Sequence, residues 1–297
     1  MPTVTRIAEA FEQPYGGFLK PSWFDKRELS HGPCPYPYED ETIGPHTCGL
    51  AVDYLTRLIL SKEKEKAFSI SLRGAKIASS LFASLLDQAQ EWLNGINGLD
   101  NQSIVNACKL VTFDVWYRAP SKALKCFWDY PLREPDKKTI ANIRHMVESA
   151  ILFAEEYGPI IDYEITFEPP DGDRSDFEKM MKTHEGHFGG YTSAVSAGDG
   201  DFLTKDTLWD FKASKKKINK VQTLQLLMYY IMGKHSGQKK YEPITQIGIY
   251  NPRKDTVFLL DALQIPKNVF RRVEKYVIEY SDEEIKRVNI RSDFKLK

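Results

Sequence analysis

Apolar side chains recur at helical spacing in two stretches of the N-terminal third of the chain. They run from about Thr47 to Leu60 and from about Ile70 to Leu93, and each predicts an amphipathic helix. Before them, residues 1 to about 45 are rich in proline, glycine and aromatic residues, which predicts an irregular arm packed on the rest. After them, Leu110 to Tyr117 (LVTFDVWY) combines β-branched and aromatic residues, a content typical of a strand.

The second half of the chain changes to short strand-like runs separated by turn residues. A long amphipathic helix is predicted from Asp136 to about Glu156, ending at Gly158-Pro159. Strands are predicted at 160–168, 198–204, 207–213, 244–250 and 256–261, with helices at about 217–232 and 265–280. The predicted fold class is α/β (mixed), with a central mixed sheet flanked by helices in residues 118–297. A loop-rich and helical N-terminal region, residues 1–117, is expected to pack on this core.

Composition narrows the class of protein. Apolar residues make up 42% and charged residues 28% of 297 residues, which is ordinary for a globular protein that needs no disulfides. No apolar run reaches the length of a membrane-spanning helix, and the N-terminus lacks the apolar region of a secretory signal. We therefore expect a soluble, cytoplasmic protein with no membrane partner. The cysteines, Cys34, Cys48, Cys108 and Cys126, have no CxxC spacing and are expected to be reduced thiols.

Charge is balanced over the whole chain but not along it. The 41 basic and 41 acidic residues give no overall attraction to nucleic acid. Between Phe211 and Tyr241, however, there are eight lysines and no Asp or Glu. Lys215, Lys216, Lys217 and Lys220 lie at the expected start of a helix, and such a run is commonly just solvated. Their place directly after the strand at 207–213 favours contact with phosphates of a nucleic acid.

Two aspartates and a lysine are expected to meet on neighbouring strands. Side chains alternate between faces in TLWDFKA, so Asp210 and Lys212 share one face. The preceding run, GDGDFLT, brings Asp201 beside Asp210 if the two strands form a hairpin through Lys205-Asp206. Two carboxylates, completed by water and phosphate oxygens, suit a hard cation such as Mg²⁺. The pattern predicts a Mg²⁺ or Mn²⁺ site with Asp201 and Asp210 as metal ligands.

Lys212 adds a group that hydrolysis of a phosphodiester needs. Such a reaction requires a hydroxide-like nucleophile at neutral pH and stabilisation of the charge on the phosphate, both of which a bound metal ion supplies. A lysine beside two carboxylates stays protonated. We therefore expect Lys212 to orient the attacking water and neutralise the phosphate oxygens, and not to act as a general base.

The spacing of these residues resembles the PD-(D/E)XK nuclease signature. Asp201 followed by Asp210-Phe211-Lys212 is similar to that signature, and Gln225 to Tyr229 (QLLMY) resembles the QxxxY motif of the RecB-like exonuclease branch. The resemblance covers about 136–260 and leaves residues 1–117 unexplained. It implies a metal-dependent exonuclease that hydrolyses DNA phosphodiester bonds. In that branch Gln225 and Tyr229, one helical turn apart, would contact the scissile strand or brace the lysine.

The family also has an acidic residue, in some members a histidine, on a helix before the strands. The candidate here is Glu148, as a further catalytic residue and metal ligand. His145 lies one turn earlier on nearly the same face, and Glu155 and Glu156 are alternatives. Glu164 resembles the glutamate that often precedes the second motif.

Cofactor and partner expectations follow from the same resemblance. Iron-sulfur members of the branch hold their cluster with cysteines after the nuclease core, but no cysteine follows Cys126, so no iron-sulfur cluster is expected. The expected partner is DNA, single- or double-stranded, with a homo-oligomer or a nuclease complex as further alternatives. Tyr15, Trp23, Tyr36 and Tyr38 are candidates for stacking on unpaired bases, although packing on the core is the expected role.

Two other classes of function compete with the nuclease. A catalytically silent nucleic-acid-binding or assembly module would keep the fold, but it has no need for two carboxylates near a phosphate. A nucleotide phosphohydrolase or kinase would need a GxxxxGK[ST] loop, which the sequence lacks. The sequence leaves open exonuclease versus endonuclease, strand polarity, and DNA versus RNA.

Overall fold

The computed structural model describes residues 2–129, 133–170, 174–183, 185–288 and 290. In this part of the chain the α-helices are α1 (Val4–Ala10), α2 (Pro45–Ser61), α3 (Lys64–Ala67), α4 (Ser69–Ser79), α5 (Ser84–Asn94), α6 (Asn101–Leu110), α7 (Asp114–Arg118), α8 (Pro120–Asp129), α9 (Lys137–Tyr157), α10 (Arg174–Thr183), α11 (Lys220–Ser236), α12 (Lys267–Val273) and α13 (Asp282–Val288). None of the helices formed by these residues has both the length and the apolar content that crossing a bilayer requires.

The strands form one large sheet and one short hairpin. They are β1 (Asp25–Glu28), β2 (Asp162–Ile165), β3 (His187–Phe188), β4 (Tyr191–Thr192), β5 (Gly200–Leu203), β6 (Thr207–Phe211), β7 (Gln246–Asn251) and β8 (Thr256–Asp261). Six of them make a sheet in the order β1-β8-β7-β6-β5-β2, while β3 pairs only with β4. In the large sheet β6 and β7 are parallel and every other pair is antiparallel. The predicted mixed sheet is therefore confirmed.

Different helices cover the two faces of the large sheet. On one face Trp209 packs edge-on against Phe153 of α9, with ring centroids 4.9 Å apart. Gly248 makes room for the indole, since an added Cβ would lie 2.3 Å from a Trp209 ring carbon. On the opposite face Leu208 packs in a cluster with α11, most of whose residues are buried. Because side chains alternate along β6, Asp210 points to the α11 face.

A second core lies among the helices of residues 43–147. Side chains of α2, α4, α5, α6 and α7 share one apolar cluster with the first half of α9. The cluster encloses Asp114, whose carboxylate accepts hydrogen bonds from Tyr54 Oη at 2.5 Å and Ser71 Oγ at 2.6 Å. The second half of α9 packs on the sheet. One continuous helix therefore joins the helical region to the sheet.

The first residues of the chain are built into the sheet region. Helix α1 packs on α11, and the backbone N–H of Val4 donates to the Ala197 carbonyl at 2.9 Å. Strand β1 extends the sheet by pairing with β8. The prediction of an irregular arm over residues 1–45 is therefore wrong for α1 and β1. It failed because short elements that depend on long-range pairing carry little periodic signal.

Three other local predictions are wrong. The stretch from about Ile70 to Leu93 forms two helices, α4 and α5, and not one. Residues 110–117 are helical: a 3₁₀ turn at Val111–Phe113 leads into α7. The buried side chains of Phe113 and Trp116 lie on one helical face, so packing overrides the strand preference of their residue types. Helix α11 starts at Lys220, later than expected, because Asn219 caps it in a capping box with Gln222. In contrast, α9 begins and ends close to the predicted boundaries.

Candidate active site

The β5–β6 hairpin brings the two predicted aspartates together. Phe202 pairs with Trp209 and Leu203 with Leu208, and continuing this antiparallel register puts Asp201 opposite Asp210. Asp201 Oδ2 accepts a hydrogen bond of 2.6 Å from the backbone N–H of Phe211. The predicted hairpin and the convergence of its aspartates are therefore confirmed.

Asp210 is a buried carboxylate with one satisfied and one unsatisfied oxygen. The residue is 1% exposed, and Lys212 Nζ donates to its Oδ1 at 2.8 Å. No described group forms a hydrogen bond with Oδ2, although that atom is buried. Burial is the main cause that raises the pKa of Asp210, from 3.8 to about 7; Lys212 opposes this shift and the Asp201 carboxylate adds to it. An unpaired buried carboxylate oxygen costs free energy unless a hydrogen-bond donor or a cation meets it.

Lys212 is held charged beside the two aspartates. Its side chain is 26% exposed, and its Nζ donates to the buried Asp210 carboxylate. Burial acts to lower the pKa of Lys212, but the nearby charges of Asp210 and Asp201 outweigh it and raise the pKa. The lysine is therefore a hydrogen-bond donor and a fixed positive charge beside the two carboxylates.

The donor set fits a hard divalent cation that keeps part of its water shell. Asp201 and Asp210 supply carboxylate oxygens from adjacent strands, and Asp210 Oδ2 has no other partner in the described structure. The described residues contain no group of three or more His, Cys, Asp or Glu side chains arranged around a common point. A bound ion would therefore take its remaining ligands from water and from a phosphate.

Gln225 and Tyr229 form a hydrogen-bonded pair on α11, on the face that carries Asp210. Gln225 Nε2 donates to Tyr229 Oη at 2.8 Å and to Thr5 Oγ1 of α1 at 3.1 Å. Burial raises the pKa of Tyr229 well above its usual value, and the negative charge of Asp210 adds to the effect. Tyr229 thus lies within electrostatic range of the aspartates. Since both side chains are buried, this pair braces the site from below.

The four lysines that the sequence predicts to bind DNA lie on the surface after β6. Lys215, Lys216, Lys217 and Lys220 are all exposed. The first three precede α11 instead of forming its first turn. Lys215 pairs with Glu39 at 2.7 Å, so part of its charge is already neutralised. The other three keep the basic character of this surface.

Arg118 is a residue near the site that the sequence did not single out. Its guanidinium lies 3.2 Å from Asp199 Oδ2, two residues before Asp201, and 3.5 Å from Asp114. The Tyr54 hydroxyl and these two carboxylates raise the pKa of Arg118 against the effect of burial. Its side chain is still 39% exposed. Because residues 110–117 were assigned to a strand, no sequence pattern connected Arg118 with the aspartates.

The structure does not bring Glu148 to the aspartates. Its helix, α9, covers the opposite face of the sheet, and no described ion pair or hydrogen bond joins Glu148 to Asp201, Asp210 or Lys212. The position was chosen because a helix precedes the strands, but helix order does not fix which sheet face a helix covers. Glu148 therefore has no support as a metal ligand in this arrangement.

The alternatives to Glu148 have other partners or other surroundings. His145 stacks on His31 with ring centroids 4.2 Å apart and bonds the Gly32 carbonyl at 2.9 Å. Glu156 forms an ion pair with Arg27 of β1, and Glu155 is exposed on α9. Glu164 belongs to β2, but its side chain is outside the described part of the structure.

The site therefore groups Asp201, Asp210 and Lys212, with Gln225 and Tyr229 on helix α11 and Arg118 beside Asp199. Comparison with protein-family models, curated proteins and solved structures gives no match to the chain.

Proposed function

We propose that the protein is a metal-dependent nuclease of the PD-(D/E)XK type that hydrolyses phosphodiester bonds of DNA. The observation that carries the proposal is the buried Asp210, whose Oδ2 has no partner among the described groups while its Oδ1 accepts from Lys212 at 2.8 Å. Asp201 faces it across the hairpin. Two carboxylates and a lysine at these positions match the requirements of a cation site next to a phosphate.

Asp201 and Asp210 would hold a Mg²⁺ or Mn²⁺ ion between β5 and β6. When bound, such an ion lowers the pKa of its water and offsets the charge of the phosphate. The raised pKa of Asp210 is consistent with this role, since a cation relieves the repulsion between the two carboxylates.

Lys212 contributes its ammonium group to the reaction. In hydrolysis a water oxygen bonds to phosphorus, the bond from phosphorus to the leaving oxygen breaks, and negative charge builds up on the phosphoryl oxygens. Lys212 is partly exposed and its pKa is raised, so it can donate hydrogen bonds to those oxygens or to the attacking water. Asp210 fixes the position of the ammonium through the contact to Oδ1.

Gln225 and Tyr229 act as positioning residues beneath the reacting groups. They lie on α11, which follows the hairpin directly, and this hairpin-then-helix order is the one that the family resemblance requires. The bond from Gln225 to Tyr229 fixes the phenol near the aspartates, and its bond to Thr5 ties the same helix face to α1. These hydrogen bonds therefore restrict the movement of α11 relative to the aspartates.

The surrounding cations account for binding of the DNA backbone. Lys216, Lys217 and Lys220 are exposed on the surface after β6, and Arg118, although paired with Asp199, keeps 39% of its side chain exposed. Lysine and arginine side chains bind phosphates without regard to base sequence. The substrate backbone is therefore expected to contact the lysine surface and the exposed part of Arg118.

Cleavage assays with matched lysine variants test the proposal. Wild-type protein is incubated with linear and circular DNA, single- and double-stranded, in Mg²⁺, Mn²⁺ or EDTA. Lys212→Ala is compared with Lys205→Ala, which removes an exposed lysine from the turn of the same hairpin. We expect metal-dependent cleavage, a loss of about 100- to 1,000-fold in Lys212→Ala, and no change in Lys205→Ala.

Cleavage that persists in EDTA would contradict the proposed role of a metal ion. Equal activity in Lys212→Ala and Lys205→Ala would contradict the role of Lys212. Digestion of linear but not circular DNA would identify an exonuclease, and cutting of both would identify an endonuclease.

A further inference from the structure

Tyr15 stands out among the aromatic residues because it is completely exposed. Its relative exposure is 102%, whereas Phe18, three residues later, is buried. A single exposed aromatic residue is not unusual on a protein surface. What distinguishes Tyr15 is the way its backbone is fixed and the surface on which it lies.

The turn that carries Tyr15 is attached to the first residue of α11. Gln13 Nε2 donates to the Lys220 carbonyl at 3.0 Å, and Gln13 Oε1 accepts from the backbone N–H of Phe18 at 3.3 Å. The N–H of Gly17 closes the turn by donating to the Pro14 carbonyl at 2.8 Å. The turn is therefore held at both ends, with Tyr15 at its tip.

Close packing at Gly17 fixes the turn further. Gly17 has a φ of 91°, and a Cβ at that position would lie 2.7 Å from Cβ of Lys220. Only glycine combines this backbone conformation with such close approach. Tyr15 is consequently presented from a fixed backbone beside the lysine surface that follows the catalytic strand.

The surroundings of the turn are positively charged. Lys220 lies directly beneath it, and Lys20 packs against Gly16 with its side-chain carbons 3.6 Å from the position of an added Cβ. Arg272 of α12 lies over the ring of Phe18, 5.1 Å from its centroid. The chain contains no acidic residue from Gln13 to Phe24, and this stretch is flanked by Glu12 and Asp25. An exposed aromatic ring among cations is the combination that binds single-stranded nucleic acid, since the ring stacks on a base while the cations contact phosphates.

We propose that Tyr15 stacks on an unpaired base of the substrate strand as that strand passes over the start of α11. This inference rests on the proposed nuclease function and adds the class of substrate: DNA that is single-stranded next to the cleaved bond. Bases inside a duplex already stack on both sides, so a ring at the protein surface gains a partner only where the strand is unpaired.

Binding measurements with Tyr15 variants test the inference. They use the Lys212→Ala background, so that DNA stays intact, and a fluorescently labelled oligonucleotide either single-stranded or paired with its complement. Tyr15→Ala is compared with Tyr15→Phe, which keeps the ring, and with Tyr276→Ala, which removes another exposed tyrosine (60%). A second oligonucleotide carries 2-aminopurine, whose fluorescence falls when it stacks on an aromatic ring.

We expect Tyr15→Ala to weaken single-strand binding about 5- to 150-fold, as loss of one base–aromatic stack would, and to abolish the 2-aminopurine quenching. Tyr15→Phe and Tyr276→Ala should stay within about twofold of the parent, because neither removes that stack. Duplex binding should not change. Tyr15 is fully exposed, so the variants should unfold at the same temperature as the parent.

Single-strand affinity of Tyr15→Ala equal to that of Tyr276→Ala would overturn the inference. So would an equal loss on duplex and single strand, or an absence of binding to either oligonucleotide. Failure of the nuclease proposal is seen separately, as lack of metal-dependent cleavage by wild-type protein.

Discussion

Replacing Asp210 by asparagine separates the proposed metal-binding role of this residue from its effect on stability. Asparagine has nearly the same size but no charge. Its amide oxygen can accept from Lys212 Nζ, which lies 2.8 Å from Oδ1, and its NH₂ group can donate toward the Asp201 carboxylate. The substitution should therefore remove a repulsion between carboxylates from the metal-free protein while it removes a proposed metal ligand.

The size of the stability change follows from the pKa of Asp210. Burial and the Asp201 charge raise this pKa from 3.8 to about 7, and at about 1.4 kcal/mol per pKa unit the ionised carboxylate costs the metal-free native state about 4 kcal/mol at most. Because the pKa of Asp210 is higher in the native than in the unfolded state, protonation of this carboxyl favours the native state. That stabilisation is fully present below pH 3.8 and is lost as the pH rises through about 7. Metal-free Asp210→Asn should thus be more stable than wild type at pH 8 and closer to it at pH 5.

Thermal unfolding and cleavage assays measure both effects. Metal-free wild type and Asp210→Asn are unfolded at pH 5 and pH 8, with and without Mg²⁺, and Asp206→Asn in the turn of the same hairpin is the control. We expect the variant to unfold several degrees higher than wild type at pH 8. Mg²⁺ should raise the unfolding temperature of wild type but not of Asp210→Asn. Cleavage by the variant should fall to the level of wild type in EDTA.

Two results would refute this reasoning. If metal-free Asp210→Asn is less stable than metal-free wild type at pH 8, the carboxylate stabilises the native state without a cation. Retained stabilisation by Mg²⁺ would mean that the ion binds elsewhere.

Three further substitutions test residues around Asp201, Asp210 and Lys212. Arg118→Ala should weaken DNA binding, because it removes a phosphate contact, and should reduce the slope of log Kd against log salt concentration by about one in a salt titration. An unchanged slope would exclude that contact. Gln225→Ala leaves the buried Tyr229 hydroxyl without its donor and should destabilise the protein by about 1–3 kcal/mol in chemical denaturation. Cleavage should be slower but Mg²⁺ binding intact. Loss of Mg²⁺ binding would instead make Gln225 part of the metal site. Gly17→Ala should cost at least about 1 kcal/mol, because its φ is 91°, and unchanged stability would show that the turn is not fixed.

The centre of the site was predictable because its residues are close in sequence. Asp210 and Lys212 share a face through the period of two in a strand, and a two-strand hairpin is enough to bring Asp201 opposite Asp210. Gln225 and Tyr229 share a face through the period of a helix. Strand and helix periods and one short turn determine these relations, and each lies within ten consecutive residues, with Asp201 to Asp210 the longest.

Residues that reach the site from distant parts of the chain were not predictable in the same way. Arg118 approaches Asp199 because α7 is helical and packs within the cluster formed by residues 43–147. Glu148 was selected by its order along the chain, yet α9 covers the opposite face of the sheet from Asp210. Neither outcome depends on local sequence, since both are decided by how whole elements pack.

The sequence by itself determined the mixed α/β class, the hairpin with its aspartates and lysine, and the helix that carries Gln225, because strand and helix periods act over a few residues. Only the tertiary structure decided that Asp210 Oδ2 is buried without a described partner and that Tyr15 is held at the start of α11. Burial and long-range contact depend on elements that are far apart in the chain, and their free energy is gained only when those elements pack together.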